Sequence, residues 1–137
     1  MIVVDASVAV KWLLPEAGAE SAQRLLDSGD GLMGPALIRV EVAAAIARKS
    51  RFGEVDRRDA AAAAELWFQS IADGLIALSP DDVDLPRGFR LALELGHPVQ
   101  DCLYLALAER LGAELFTADR KFVARAGPSH PAVRALP

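Results

Sequence analysis

The sequence predicts an α/β sandwich: a mostly parallel sheet of four or five strands flanked by helices. Three observations predict it. Short apolar runs alternate with segments of helical periodicity along the chain, the helical segments stop at glycines (Gly29, Gly53, Gly96, Gly112), and no internal repeat, linker or low-complexity stretch interrupts the pattern. A length of 137 residues suits one domain over residues 1–137.

Ile2-Val3-Val4 is a β-branched run that fits a fully buried strand, and it ends at Asp5. Ser7 to Leu14 has helical spacing and Pro15 breaks it, after which Ala17 to Leu26 resumes with Ala22, Leu25 and Leu26 on one side. Leu32-Met33 is a short strand candidate. Pro35 then opens a long helical pattern from about Ala36 to Arg51, with Glu41 near its start. Asp56 through Ile71 is a further helix carrying Ala60, Ala64, Trp67 and Ile71 on one stripe. Trp67 and Phe68 point about 100° apart on that helix, so a single narrow stripe does not bury both and one is free for an interface.

Leu75 to Leu78 reads as a strand, and Ser79-Pro80-Asp81 starts a helix that runs to about Leu95. His97-Pro98 is a loop, and His97 reads as a loop residue with no catalytic part; His130 in the tail is assigned none either. From Val99 the pattern is helical to Leu111, with Asp101 in its first turn ahead of the apolar run Cys102 to Ala108. Glu114 to Thr117 is a short strand, Asp119 follows two residues later, Arg120 to Arg125 is a brief helix, and Val133 to Leu136 is a last strand.

Composition excludes several classes. Hydrophobic residues make up 53% and charged residues 25%, which supports a packed core and excludes a disordered or fibrous chain. The longest uncharged stretches fall far short of the roughly 18 apolar residues of a membrane span. The N-terminus shows neither a basic leader nor an apolar stretch of signal-peptide length, so the expectation is a cytoplasmic protein. The single cysteine, Cys102, excludes an internal disulfide and reads as a small buried residue. With 15 Lys and Arg against 19 Asp and Glu, the net charge is −4, and bulk charge does not draw this chain onto nucleic acid.

The distribution of acids is more informative than their number. In open parallel sheets the functional crevice lies beyond the carboxyl ends of the strands, at a topological switch point. Asp5 and Asp119 sit after strands, and Glu41 and Asp101 open helices that can face the same crevice. Singly, each acid is explained as a turn former, an N-cap or a partner of the helix dipole. Jointly, they fit a site for Mg²⁺ or Mn²⁺, hard ions that take carboxylate and phosphate oxygens. Removing these four from the 19 acids leaves 15 against 15 bases, so the site accounts for the whole excess of −4. Two divalent ions would cancel it.

The segments Ile2 to Ser7, Val40-Glu41-Val42-Ala43, Val99 to Glu109 and Leu115 to Phe122 resemble the PIN-domain ribonucleases, and among them the toxins of VapBC toxin–antitoxin pairs. The resemblance spans nearly the whole chain and implies a PIN-like three-layer sandwich. It implies that Asp5, Glu41, Asp101 and Asp119 bind one or two metal ions and are catalytic, with Ser7 and Thr117 as supporting hydroxyls. It also implies an RNA substrate, a homodimer, and a VapB-type antitoxin whose arginine or basic segment enters the acidic pocket. Cys102 stands where the family more often has alanine, a small apolar exchange. Lys11, one helical turn beyond Ser7, and the basic residues Arg39, Arg48, Lys49 and Arg51 are candidate RNA contacts; Arg57 and Arg58 extend that cluster, although Glu54, Asp56 and Asp59 dilute it.

Other readings fit less well. A phosphatase of the haloacid dehalogenase class needs a second aspartate where Ser7 stands, a receiver domain needs an acid pair beside its first strand, and RNase H-like nucleases open with consecutive strands. A housekeeping RNA-processing nuclease and a catalytically silent PIN-fold binding module remain as alternatives to a toxin.

Overall fold

The computed structural model describes residues Met1–Pro137. Five parallel strands form one sheet in the order β3-β2-β1-β4-β5: β1 Ile2–Val4, β2 Leu32–Pro35, β3 Ala77–Ser79, β4 Glu114–Thr117 and β5 Val133–Ala135. Seven α-helices flank it: α1 Ala6–Ala9, α2 Ala19–Asp27, α3 Ile38–Arg51, α4 Arg57–Ala72, α5 Asp81–Leu95, α6 Val99–Leu111 and α7 Arg120–Ala126, with a 3-10 turn over Val10–Trp12. The chain leaves β1 toward β2 on one side and returns to pair β4 on the other. The switch point therefore lies between the carboxyl ends of β1 and β4, with Val4 opposite Phe116 and the Asp5 amide donating to the Phe116 carbonyl at 3.2 Å.

Where element boundaries differ from the periodicity, backbone hydrogen bonds decide. The Ser7 to Leu14 pattern does not make one helix: α1 is a single turn that tightens into the 3-10 turn, and the Trp12 indole donates to the Ala22 carbonyl at 2.8 Å, fixing that turn on α2. Pro35 ends β2 instead of opening α3, because the Ala36 amide donates to the Ser79 carbonyl of β3 at 2.8 Å. Leu75 belongs to the end of α4: its amide reaches back to the Ser70 carbonyl at 3.0 Å across Gly74, whose φ of 82° favours glycine, so β3 begins only at Ala77.

The apolar run of α6 is buried throughout and crosses the middle of the sheet, which explains why it shows no polar face. α5 packs closely against it at Gly88, where a Cβ would stand 3.2 Å from the Leu103 Cα. Arg110 of α6 clamps the buried Asp84 of α5 at 2.7 and 3.0 Å and donates to Ser79 at 2.8 Å, locking both helices to the end of β3. Of the neighbouring aromatics on α4, Trp67 is fully buried and donates to the Arg39 carbonyl at 3.1 Å, whereas Phe68 is exposed. No helix is long and apolar enough to cross a membrane.

Candidate active site

Asp5 ends β1 and caps α1, its Oδ1 accepting from the Val8 amide at 3.3 Å and from the Ser7 hydroxyl at 2.5 Å. Asp119 caps α7, its Oδ1 accepting from the amides of Lys121 and Phe122 at 2.9 and 3.1 Å. Both acids are therefore caps, as the local reading of each allows, and both stand at the switch point. The two hydroxyls tie these turns together. Ser7 Oγ accepts from the Ala118 amide at 2.9 Å, Thr117 Oγ1 accepts from the Asp119 amide at 3.0 Å, and the two hydroxyl oxygens are 3.5 Å apart.

Glu41 on α3 and Asp101 on α6 complete the arrangement. All four acids line one cavity of about 700 Å³. The tightest group at this end of the sheet is smaller than the sequence suggests: single ligand atoms of Asp101, Asp119 and His97, which does not itself line the cavity, lie within 4.8 Å of one another, and neither Asp5 nor Glu41 belongs to that group. Asp101 is nonetheless the common neighbour, since its charge acts on Asp5 and on Glu41, and Asp119 acts on it in turn.

Three of the acids divide their two oxygens between fold and cavity. Asp119 spends Oδ1 on its helix cap, Glu41 accepts from the Tyr104 hydroxyl through Oε1 at 2.7 Å, and Asp101 meets His97 Nε2 through Oδ2 at 2.7 Å. The second oxygen of each makes no hydrogen bond. One held oxygen per carboxylate fixes the side chain's direction, and one lone oxygen per carboxylate is left to act.

The electrostatics reflect burial first. Burial pushes Asp5 from the ordinary 3.8 up to about 6, against the hydrogen bonds of Ser7, Thr117 and Val8 that hold it down. Burial likewise raises Glu41 against the Tyr104 hydrogen bond, and raises Asp101 against its pairing with His97. Burial and the adjacent Glu41 push the Tyr104 phenol far above its usual range, so it stays a donor. Such a site favours an incoming cation.

Two members of this site are not legible as such in the sequence. His97 lies in a loop, as expected, but it is buried, stacked on Phe122 and hydrogen-bonded to Asp101, so it belongs to the site. Its spacing of four residues before Asp101 was the available signal. Tyr104 is hidden inside an apolar run, three residues after Asp101 and hence on the same face of α6.

The basic candidates separate. Arg48, Lys49, Arg51 and Lys11 line the cavity with the acids. Arg39 does not: two residues before Glu41 it faces away, and its guanidinium folds back on the Ala36 carbonyl at 3.0 Å. Arg57 and Arg58 line a separate shallow hollow beside Ser50 and Gly53. Lys11 and Lys49 are not free either, because Glu16 bridges them, Oε1 to Lys11 Nζ at 2.9 Å and Oε2 to Lys49 Nζ at 2.8 Å.

The PIN domain family profile matches residues 2–128. The chain belongs to the PIN-domain family. This PIN domain is similar to Ribonuclease VapC3 of Pyrobaculum aerophilum, with 36% identity over 122 residues, covering 88% of this chain and 90% of the relative. Its fold matches that of a Pyrobaculum aerophilum protein of known crystal structure at a TM-score of 0.73, with 24% identity over 98% of this chain and 90% of the other. It also matches a chain of a toxin–antitoxin complex from Klebsiella pneumoniae at a TM-score of 0.67, with 16% identity over 98% and 96% of the two chains. The sarcin–ricin loop-cleaving toxin VapC20 of Mycobacterium tuberculosis matches at 0.66, with 19% identity over 87% and 92%. PIN-domain nucleases are generally metal-dependent, and the residues here fit a hard divalent ion: clustered carboxylates, each aimed by a hydrogen bond, with unengaged oxygens in one cavity.

Proposed function

We propose that this PIN domain, taken as residues 1–137, is an endoribonuclease that hydrolyses RNA phosphodiester bonds with Mg²⁺ or Mn²⁺, and that it is the toxin of a type II toxin–antitoxin pair. The observation that carries the reading is the set of four carboxylates around one cavity at the β1/β4 switch point, three of them with one oxygen held and one unengaged. The likeness to Ribonuclease VapC3 over most of both chains supports RNA as the substrate.

Asp101 and Asp119 would hold the ion, with Asp5 and Glu41 adding charge and oxygens from the neighbouring wall. When bound, one or two such ions supply a water of lowered pKa and charge stabilisation at the scissile phosphate. The protein's own part is orientation. Ser7 and Thr117 brace the turns that carry Asp5 and Asp119, while His97 and Tyr104 aim Asp101 and Glu41. Arg48, Arg51, Lys11 and Lys49 place positive charge on the cavity wall, where the phosphates flanking the cleaved bond would lie.

The clustered carboxylates also suit a guanidinium, so a basic segment of a VapB-type antitoxin entering the cavity would compete with the metal. Leu85, Phe89 and Leu93 form an exposed stripe at helical spacing on α5, and this is the surface we assign to a homodimer. We take a nuclease of this kind to act in the cytoplasm.

The test is cleavage of single-stranded RNA by purified protein with Mg²⁺ or Mn²⁺, with EDTA, and by Asp101→Asn. The metal-free and Asp101→Asn samples should lose at least about 100-fold in rate, since each removes charge from a site whose work is electrostatic. Cleavage at the untreated rate in EDTA would overturn the metal mechanism.

A further inference from the structure

His97 is held from four directions. Its ring is buried and stacks on Phe122 with centroids 4.7 Å apart and planes 21° from parallel. Nε2 lies 2.7 Å from Asp101 Oδ2 and 4.0 Å from Asp119 Oδ2. Nδ1 lies 3.4 Å from a terminal guanidinium nitrogen of Arg125, and that same nitrogen is anchored on the Gly96 carbonyl at 2.7 Å.

The Arg125 contact decides which nitrogen carries the proton. A guanidinium donates only, so the Nδ1 that faces it must offer a lone pair. Nδ1 is then the accepting nitrogen and Nε2 the donating one, and Nε2 donates to Asp101. A nitrogen that carries a proton has no lone pair for a metal, so the ring beside this acidic pair is a donor in spite of its ligand-like position.

We infer that His97 is a positioning residue of the metal site: it donates from Nε2 to Asp101 Oδ2, turns Oδ1 toward the cavity, and does not coordinate the ion. The inference rests on the metal-dependent reading above. It also explains how α6 and α7 keep their spacing. Phe122 stacks on His97 and donates its amide to Asp119 Oδ1, so one ring links the helix that carries Asp101 to the turn that carries Asp119. Arg125, one helical turn further on, fixes the tautomer.

The experiment uses the full chain without RNA, with Mn²⁺ as probe. Calorimetric titration should show His97→Leu, which keeps bulk against Phe122 but lacks the donor, binding Mn²⁺ about 10-fold or more weakly than wild type. His97→Gln, whose amide nitrogen reaches the place of Nε2, should recover most of that loss. With ¹⁵N-labelled histidine, pulsed electron paramagnetic resonance of the Mn²⁺ complex should show no directly bound imidazole nitrogen, and metal-free NMR should show His97 as the Nε2–H tautomer. A directly bound nitrogen, the Nδ1–H tautomer, or wild-type affinity in His97→Leu overturns the inference while leaving the nuclease reading intact. Wild-type protein that takes up no Mn²⁺ overturns the metal reading and the inference with it. The NMR measurement needs no variant, so a misfolded His97→Leu does not shield the assignment.

Discussion

The Tyr104 hydroxyl donates to Oε1 of Glu41 over 2.7 Å, joining α6 to α3 across 63 residues of sequence at the wall of the acidic cavity. Both partners are raised in pKa by burial, so the bond is one between a phenol that keeps its proton and a carboxylate drawn partly out of water. Tyr104→Phe removes the donor without changing the ring. It should destabilise the metal-free protein at pH 7.5 by about 1.5 to 3 kcal/mol, the range for a hydrogen bond to a charged group. Urea denaturation measures it, and a change below about 0.5 kcal/mol would mean that Glu41 finds an equal partner in water.

Asp5 predicts a pH dependence. Its folded value of about 6 lies above the ordinary 3.8, so between these the native state binds a proton that the unfolded chain has released. Metal-free stability should therefore fall as pH rises from about 4 to 6 and stay lower above that window. A shift of this size corresponds to at most about 3 kcal/mol. Asp5→Asn keeps the cap and removes the charge, so in EDTA at pH 7.5 it should gain stability, flatten the pH profile, and abolish cleavage. Thermal unfolding from pH 4 to 8 checks this; loss of stability in Asp5→Asn would show that capping outweighs buried charge.

Metal should stabilise the wild type more than the site variants. At 100 times its dissociation constant a ligand adds about 2.7 kcal/mol, which for a domain of this size raises the unfolding midpoint by roughly 5 to 15 °C. Asp101→Asn should lose most of that increment. An equal rise in both proteins would place the ion elsewhere.

Glu16 predicts an effect of the opposite sign from ordinary loss of function. Its one negative charge offsets one of the two positive charges of Lys11 and Lys49 on the wall of the cavity. Glu16→Gln removes that charge while Lys11 keeps the Ala17 carbonyl and Lys49 keeps Glu54, so it should tighten binding of a single-stranded oligoribonucleotide at low salt and steepen the salt dependence by roughly one phosphate contact. Fluorescence anisotropy at several salt concentrations reads this. Weaker binding by Glu16→Gln would show that the bridge is needed to hold the lysines in place.

The α5 stripe predicts assembly. If Leu85, Phe89 and Leu93 form the homodimer surface, Phe89→Glu should convert a dimer to a monomer by light scattering at micromolar concentration while the fold persists. A wild-type monomer would remove the dimer from the reading.

The sequence by itself determined the order of strands and helices and the candidate acids. Ile2-Val3-Val4, Glu114 to Thr117 and the buried run of α6 carry their periodicities locally, and an acid at the end of such a run is visible without a fold. What only the tertiary structure decided is what each acid's oxygens do. Periodicity is a property of neighbours, whereas the hydrogen bonds from Tyr104 to Glu41 and from the Ala118 amide to Ser7, and the stacking of His97 on Phe122, form between segments far apart in the chain. The same holds for the charges. Composition makes Lys11 and Lys49 equal candidates with Arg48, but only the folded chain brings Glu16 between them, because a pairing energy depends on distances of a few ångströms that no sequence spacing specifies.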